Sequence, residues 1–181
     1  DCEEGAELLY GFNRAVTADE VRQAAIDNTL PDLCNHVPVH KGDVFWINAG
    51  TLHAIGKGIV IAEIQQNSNL TYRLYDYGCT DKNGNPRELH LDKALDVLRF
   101  ERPARMGPIG HPEPHNGYTR TLLGSCHYFT VFAIDLHSEY TANASPLSFH
   151  CLTVTEGCMT IENEGQLVEA KKGESYFIPA G

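Results

Sequence analysis

A mainly β fold with a few short helices is what this sequence predicts, on three observations. Short segments rich in β-branched and aromatic residues recur at near-even spacing, most of them bounded by glycine-containing turns. A glycine-opened segment occurs twice, which points to two copies of one structural unit. Helical spacing is confined to brief stretches beside strands, which decorate a β scaffold and do not build alternating βαβ units.

Taken in order, residues 6–12 (AELLYGF) read as a strand. Thr17-Ala18-Asp19-Glu20 is a capping box, in which the Thr17 side chain accepts from the Glu20 N–H and Glu20 reaches back to the cap. Val21, Ala24 and Ala25 then give an apolar stripe, so the spacing predicts a helix over about 18–27. Thr29-Leu30-Pro31-Asp32 is a second, short helix start, with proline allowed in the first turn. Residues 37–39, 44–48, 59–65 and 70–75 read as strands, and 41–43 as a turn. Residues 81–86 are dense in turn formers and form a loop. Apolar residues at 91, 94, 95 and 98 predict a helix over 89–98. The prolines at 103, 108, 112 and 114 exclude an element interior and mark 102–117 as a linker. Beyond it, residues 120–123, 128–136, 148–155, 158–161, 166–170 and 175–179 read as strands, with hairpin turns at Glu156-Gly157 and at Asn163-Glu164-Gly165.

The chain has 181 residues and a formal charge of −10. That balance argues against a nucleic-acid partner, whose usual footprint is a basic face, but it leaves room for an anionic small substrate in a local basic pocket. No apolar run is long enough to span a membrane, and the acidic start is not signal-like. The six cysteines lack a CxxC pair and match no zinc finger or ribbon spacing. They read as reduced thiols of a cytoplasmic protein, mostly filling the core. His36 and His40 lie four apart on extended chain without a metal-site pattern.

The repeat is the strongest organising fact. Gly42-Asp43-Val44-Phe45-Trp46-Ile47-Asn48-Ala49-Gly50 matches Gly173-Glu174-Ser175-Tyr176-Phe177-Ile178-Pro179-Ala180-Gly181, an offset of 131 positions (173 − 42). Glycine opens an acidic-then-apolar strand that ends on x-Ala-Gly, and the first copy continues to Thr51-Leu52-His53. Gly42 through His53 resembles the second cupin motif, with Asn48 where proline is usual. Gly173 to Gly181 fits the same motif as far as it goes, and Thr155-Glu156-Gly157-Cys158 resembles part of the first cupin motif. GTLHAIGKGIVIAEIQQNSNLTYRLYDYG followed by RELHLDKALDV closely resembles the short bacterial type I mannose-6-phosphate isomerases. The fold this implies is a pair of partial cupin (double-stranded β-helix, jelly-roll) barrels with a few short helices. Residues 1–87 would be the C-terminal part of the first, catalytic barrel, 88–118 a helix and proline-rich linker, and 119–181 the N-terminal part of the second barrel.

The resemblance also implies roles. Members of that family hold a zinc ion in the first barrel, and the histidine of the x-Gly-x-x-His turn is its last ligand, here His53. An arginine twenty residues on lies over the substrate with a catalytic role, here Arg73. Glu63 takes the place of a pocket-lining or supporting carboxylate. Asn69 stands in the pocket where aspartate is common, and Cys79 where a basic residue is common. The implied activity interconverts mannose 6-phosphate and fructose 6-phosphate through an enediolate. An arginine suits that chemistry because it is always charged and offers a planar fork of donors to an oxygen gaining negative charge.

The missing initiating methionine and the halted second repeat predict a piece of a longer chain. On that expectation the other zinc ligands are absent, the piece binds zinc weakly or not at all and does not isomerise, and its cut barrels expose strand edges that favour self-association. Two other functions are compatible with the residues: a non-catalytic cupin that binds or senses a sugar, and a different metal cupin such as an iron oxygenase.

Overall fold

The computed structural model describes residues 1–68, 70–85, 87–101, 103 and 107–181. It is mainly β, as the sequence predicts. The first strand, β1 (Glu7–Phe12), is the centre of a three-stranded antiparallel sheet, flanked by β2 (Cys34–Pro38) and β3 (His53–Ile55). Register pairs Leu9 with His36 on one side and Tyr10 with His53 on the other. Between β1 and β2 lie α1 (Ala18–Ile26) and a 3₁₀ turn (Leu30–Leu33), close to the predicted helices. The capping box forms in full, with Thr17 accepting from the Glu20 N–H at 3.2 Å and the Glu20 carboxylate accepting from the Thr17 N–H at 2.8 Å. The second full helix, α2 (Leu91–Val97), coincides with the 89–98 periodicity.

Two compact units divide the chain: Asp1–Glu113 with Arg120–Ile134, and Pro114–Thr119 with Asp135–Gly181. The first has a clear core. Phe12, Val16, Val21, Ala24 and Leu30 from the β1–α1 region meet Leu74, Ala94 and Leu95. Phe12 and Val21 are fully buried, and each such side chain stabilises by about 1.5–3 kcal/mol. In this unit Trp46 packs on Gly124, where any Cβ would collide with the indole ring, and lies 5.9 Å from Phe129 between ring centres.

Farther along, a sheet of order β4-β5-β6 is formed by β4 (Glu113–Pro114), β5 (Tyr118–Ser125) and β6 (Thr130–Leu136). The second unit contains two antiparallel pairs. One joins β7 (His150–Thr153) to β10 (Ser175–Ile178), with Thr153 and Ser175 hydroxyls 2.9 Å apart across the strands. The other joins β8 (Cys158–Asn163) to β9 (Gln166–Lys171). Its loop has positive φ at both Glu164 (51°) and Gly165 (79°), a type I′ turn whose twist suits a hairpin.

The repeat is structural as well as sequential. In the first copy the His40 N–H donates to the Asp43 carboxylate at 2.8 Å, and the Asp43 N–H donates to the His40 carbonyl at 3.1 Å. In the second copy Lys171 and Glu174 make the same two bonds, at 2.8 and 3.0 Å. The Lys171 N–H holds the Glu174 carboxyl below its usual range. Gly42 and Gly173 share φ near +90° (90° and 91°), a conformation open to glycine at no steric cost.

Several expectations are corrected. Residues 44–48, 59–65 and 70–75 are not strands. A strand needs a neighbour for its N–H and C=O groups, and among the described residues these segments make only scattered bonds, such as Gly107 N–H to the Val44 carbonyl and Val60 N–H to the Asp1 carbonyl. Residues 175–178 do form a strand where their repeat counterparts 44–47 do not, because β7 lies alongside to pair with them. Glu156-Gly157 is a turn but not a hairpin, since β7 pairs with β10 and β8 with β9. Only Cys34 of the six free cysteines is buried; Cys79, Cys126, Cys151 and Cys158 are exposed, so the thiols do not fill a core as expected. Among the described residues no helix is long and apolar enough to cross a membrane.

Candidate functional site

The x-Gly-x-x-His frame is built from a tight turn and a short strand. The Thr51 N–H donates to the Asn48 carbonyl at 3.0 Å and closes the turn. Gly50 sits there at φ +81°, and a Cβ on it would run into the Val97 carbonyl oxygen at the end of α2. Arg99, just after α2, grips the turn twice, with its N–H on the Gly50 carbonyl at 2.8 Å and its Nε on the Ala49 carbonyl at 2.9 Å. The Gly11 N–H then donates to the Leu52 carbonyl at 2.7 Å, which delivers His53 to β3 opposite Tyr10. The neighbouring Tyr10 is buried, which pushes its hydroxyl pKa up, and its O–H donates to the Trp46 carbonyl at 2.8 Å.

His53 itself is exposed, and its Nδ1 lies 3.0 Å from the Thr51 carbonyl. A carbonyl only accepts, so Nδ1 donates to it, and in the neutral ring this leaves the lone pair on Nε2. That is how a metal-ligating imidazole is oriented. The ring therefore fits the role of one zinc ligand. It does not make a site by itself: among the described residues no group of three or more His, Cys, Asp and Glu could hold a metal ion, whereas a catalytic zinc takes about three protein ligands.

Arg73 precedes Leu74, which is buried in the core, so the arginine is tethered by its neighbour's packing. It is half-buried. Its Nη1 donates to the Glu88 carbonyl at 3.3 Å. Among the described residues no carboxylate pairs with it, which leaves its charge and most of its donor fork available. Glu63 is exposed on the irregular segment after Ile59 and has no partner among the described residues. No hydrogen bond or ion pair joins His53, Glu63 and Arg73 to one another among the described residues. Asn69, the other expected pocket residue, lies outside the described residues. Cys79 is exposed beyond the turn that follows Asp76.

The structure adds a residue the sequence reading passed over. His90 is the N-cap of α2 and bonds to Arg73 through both its ring and its backbone. The sequence signal for it is faint: a lone histidine before Leu91-Asp92 is not a common N-cap, and its partner is seventeen positions upstream.

The family model described as "Mannose-6-phosphate isomerase, cupin domain" matches residues 119–181. Over 187 aligned residues and 100% of this chain, mannose-6-phosphate isomerase ManA of Bacillus subtilis is 35% identical. The mannose-6-phosphate isomerase of Streptococcus mutans is 34% identical over 98% of the chain. A crystal structure of the Bacillus subtilis mannose 6-phosphate isomerase superposes on 99% of the chain with a TM-score of 0.86 and 32% identity. Along nearly its whole length this chain is similar to mannose-6-phosphate isomerases. Its β architecture is that of the cupin fold, and it spans a little over half the length of these relatives, 56% and 55% of the two sequences and 56% of the solved chain.

Proposed function

We propose that this chain supplies one wall of a sugar-phosphate isomerase site that interconverts mannose 6-phosphate and fructose 6-phosphate. One observation carries the reading: a backbone that follows the Bacillus subtilis enzyme over 99% of this chain presents the exposed His53, its Nδ1 on the Thr51 carbonyl, and at 73 an arginine with no carboxylate partner among the described residues. Moving a proton between neighbouring sugar carbons places negative charge on oxygen. Arg73, permanently charged and with free donors, would stabilise that oxygen as the charge develops. His53 would hold a zinc ion through Nε2 together with groups not present among the described residues. Zinc, when bound, supplies Lewis-acid polarisation of the sugar oxygens. Glu63, exposed and without a partner among the described residues, would line the sugar pocket.

With one imidazole in place of a complete ligand set, the 181-residue chain would keep little of the roughly 10–16 kcal/mol that a closed structural zinc site contributes. It would bind zinc weakly or not at all and would not isomerise by itself. Zinc analysis with a coupled isomerase assay tests this, and stoichiometric zinc with normal turnover would sink it. In the protein that carries this chain, Arg73→Ala should lower kcat by about 10²–10³; unchanged turnover would remove Arg73 from the mechanism. The lack of a three-donor cluster among the described residues favours, as a second reading, a cupin that binds a sugar phosphate without turning it over. Calorimetric binding of mannose 6-phosphate with no product formed would select that reading.

A further inference from the structure

The chain between Arg73 and His90 is an excursion closed at its base by these two residues. At its tip the Asp81 N–H donates to the Asn85 carbonyl at 2.7 Å, and the Asp81 carboxylate accepts from the Asn83 and Asn85 N–H groups at 2.8 and 2.9 Å. Midway, the Arg87 N–H donates to the Cys79 carbonyl at 3.4 Å. At the base the His90 N–H donates to the Arg73 carbonyl at 2.7 Å, and the Arg73 N–H donates to His90 Nδ1 at 3.1 Å. Both backbone polar groups of Arg73 are thus held by one residue. That residue is itself fixed, because its carbonyl accepts the Ala94 N–H at 2.8 Å in the first turn of α2, whose Ala94 and Leu95 lie in the core.

The ring bond dictates a protonation state. An amide N–H only donates, so Nδ1 must be an acceptor. The ring is then neutral, with its proton on Nε2, and an imidazolium could not make the contact. With the Glu88 carbonyl on Nη1, Arg73 is held at its N–H, its C=O and its guanidinium. Each hold comes from the segment leading into α2, and none is an ion pair that would neutralise the side chain.

We propose that His90 is a positioning residue for Arg73: as the Nε2-protonated tautomer it fixes the arginine backbone, and so the aim of the guanidinium, from the N-terminus of α2. The assignment rests on the catalytic reading of Arg73 given above. It predicts a substitution pattern that follows the place of an acceptor atom and not polarity in general. Asparagine puts its carbonyl oxygen where Nδ1 stands, and glutamine reaches to the Nε2 position.

Two measurements test it. In the 181-residue chain with ¹⁵N-labelled histidine, two-bond proton–nitrogen spectra should show His90 bare at Nδ1 and protonated at Nε2. Amide exchange at Arg73 should be slow in wild type and His90→Asn, and about tenfold faster in His90→Gln and His90→Leu. In the protein that carries this chain, His90→Gln and His90→Leu should lower kcat about 10²-fold with KM within a few-fold, the size expected when a reacting group is misplaced by about 1 Å. His90→Asn should stay within about a few-fold of wild type on both, since it restores the acceptor. A protonated Nδ1, or exchange at Arg73 that is indifferent to His90→Leu, overturns the proposal, as does equal activity of the Asn and Gln variants. If Arg73→Ala retains normal turnover, the reading of Arg73 falls and this proposal with it. If Arg73→Ala is inactive while His90→Leu equals wild type, only the positioning role falls.

Discussion

Replacing Gly50 by alanine separates two costs that the fold imposes on the histidine-bearing turn. The first is conformational: at φ +81° an L-residue sits in the left-handed region, which costs about 1–2 kcal/mol. The second is steric. The new Cβ would enter the Val97 carbonyl oxygen, and it would also lie 3.3 Å from Arg99 Cγ. A backbone carbonyl at a helix end cannot step aside as a flexible side chain can, so overpacking of about 1–3 kcal/mol is added. The total is about 2–5 kcal/mol. Gly42→Ala is the internal control, because Gly42 has φ +90° but nothing within 4 Å of its Cβ position. It should cost only the conformational part, about 1–2 kcal/mol. Both residues belong to the unit that contains Trp46, the single tryptophan. Urea unfolding followed by tryptophan fluorescence therefore reports both variants in the same unit. Gly50→Ala should be more destabilising than Gly42→Ala by about 1–3 kcal/mol. Equal losses would refute the argument that α2 presses on the turn.

Two further outcomes follow from the titrating groups. His36 Nδ1 lies 2.8 Å from the Glu7 carboxylate and Nε2 lies 3.2 Å from the Pro31 carbonyl; the Glu7 bond chiefly raises the His36 pKa above its ordinary 6.5, with the Pro31 carbonyl, Glu7 charge and Asp32 charge adding to it and partial desolvation opposing. A raised folded value means the stabilisation is complete below 6.5 and is lost as pH rises through the folded value, so wild type should lose more stability than His36→Gln as pH rises above 6.5, and parallel urea midpoints would contradict this. Cys34 is 3% exposed, donates to the Leu30 carbonyl at 3.3 Å and has its pKa pushed up to about 11 by burial; with a chromogenic disulfide the exposed Cys79, Cys126, Cys151 and Cys158 should react in the fast phase and Cys34 only on unfolding, and a fast-reacting Cys34 would show that the β1–α1 core opens readily.

What could be read from the residues alone was local. The capping box at Thr17 and Glu20 and the type I′ turn at Glu164-Gly165 are set by bonds or backbone angles within a few positions. The same holds for the twin turns at Gly42 and Gly173 and for the periodicity of α2. The sequence therefore places them nearly to the residue. The repeat and the turn leading to His53 were legible for the same reason, and they pointed to the cupin architecture that the solved Bacillus subtilis structure shares. Strand formation is different, because it depends on what lies alongside. Residues 44–47 and 175–178 carry matching patterns, and only the second becomes a strand, since only it has β7 to take its hydrogen bonds. Most of the cysteines lie outside the core because residue type says a thiol suits a core without saying which side of a strand faces one. Tertiary structure also decided where His53 stands, by bonding the Gly11 N–H to the Leu52 carbonyl and setting His53 opposite Tyr10. It brought His90 back to Arg73 across a separation of seventeen positions. A sequence specifies turns and caps because their bonding partners are its near neighbours, whereas the aim of a side chain depends on groups that only folding brings within about 3 Å of it.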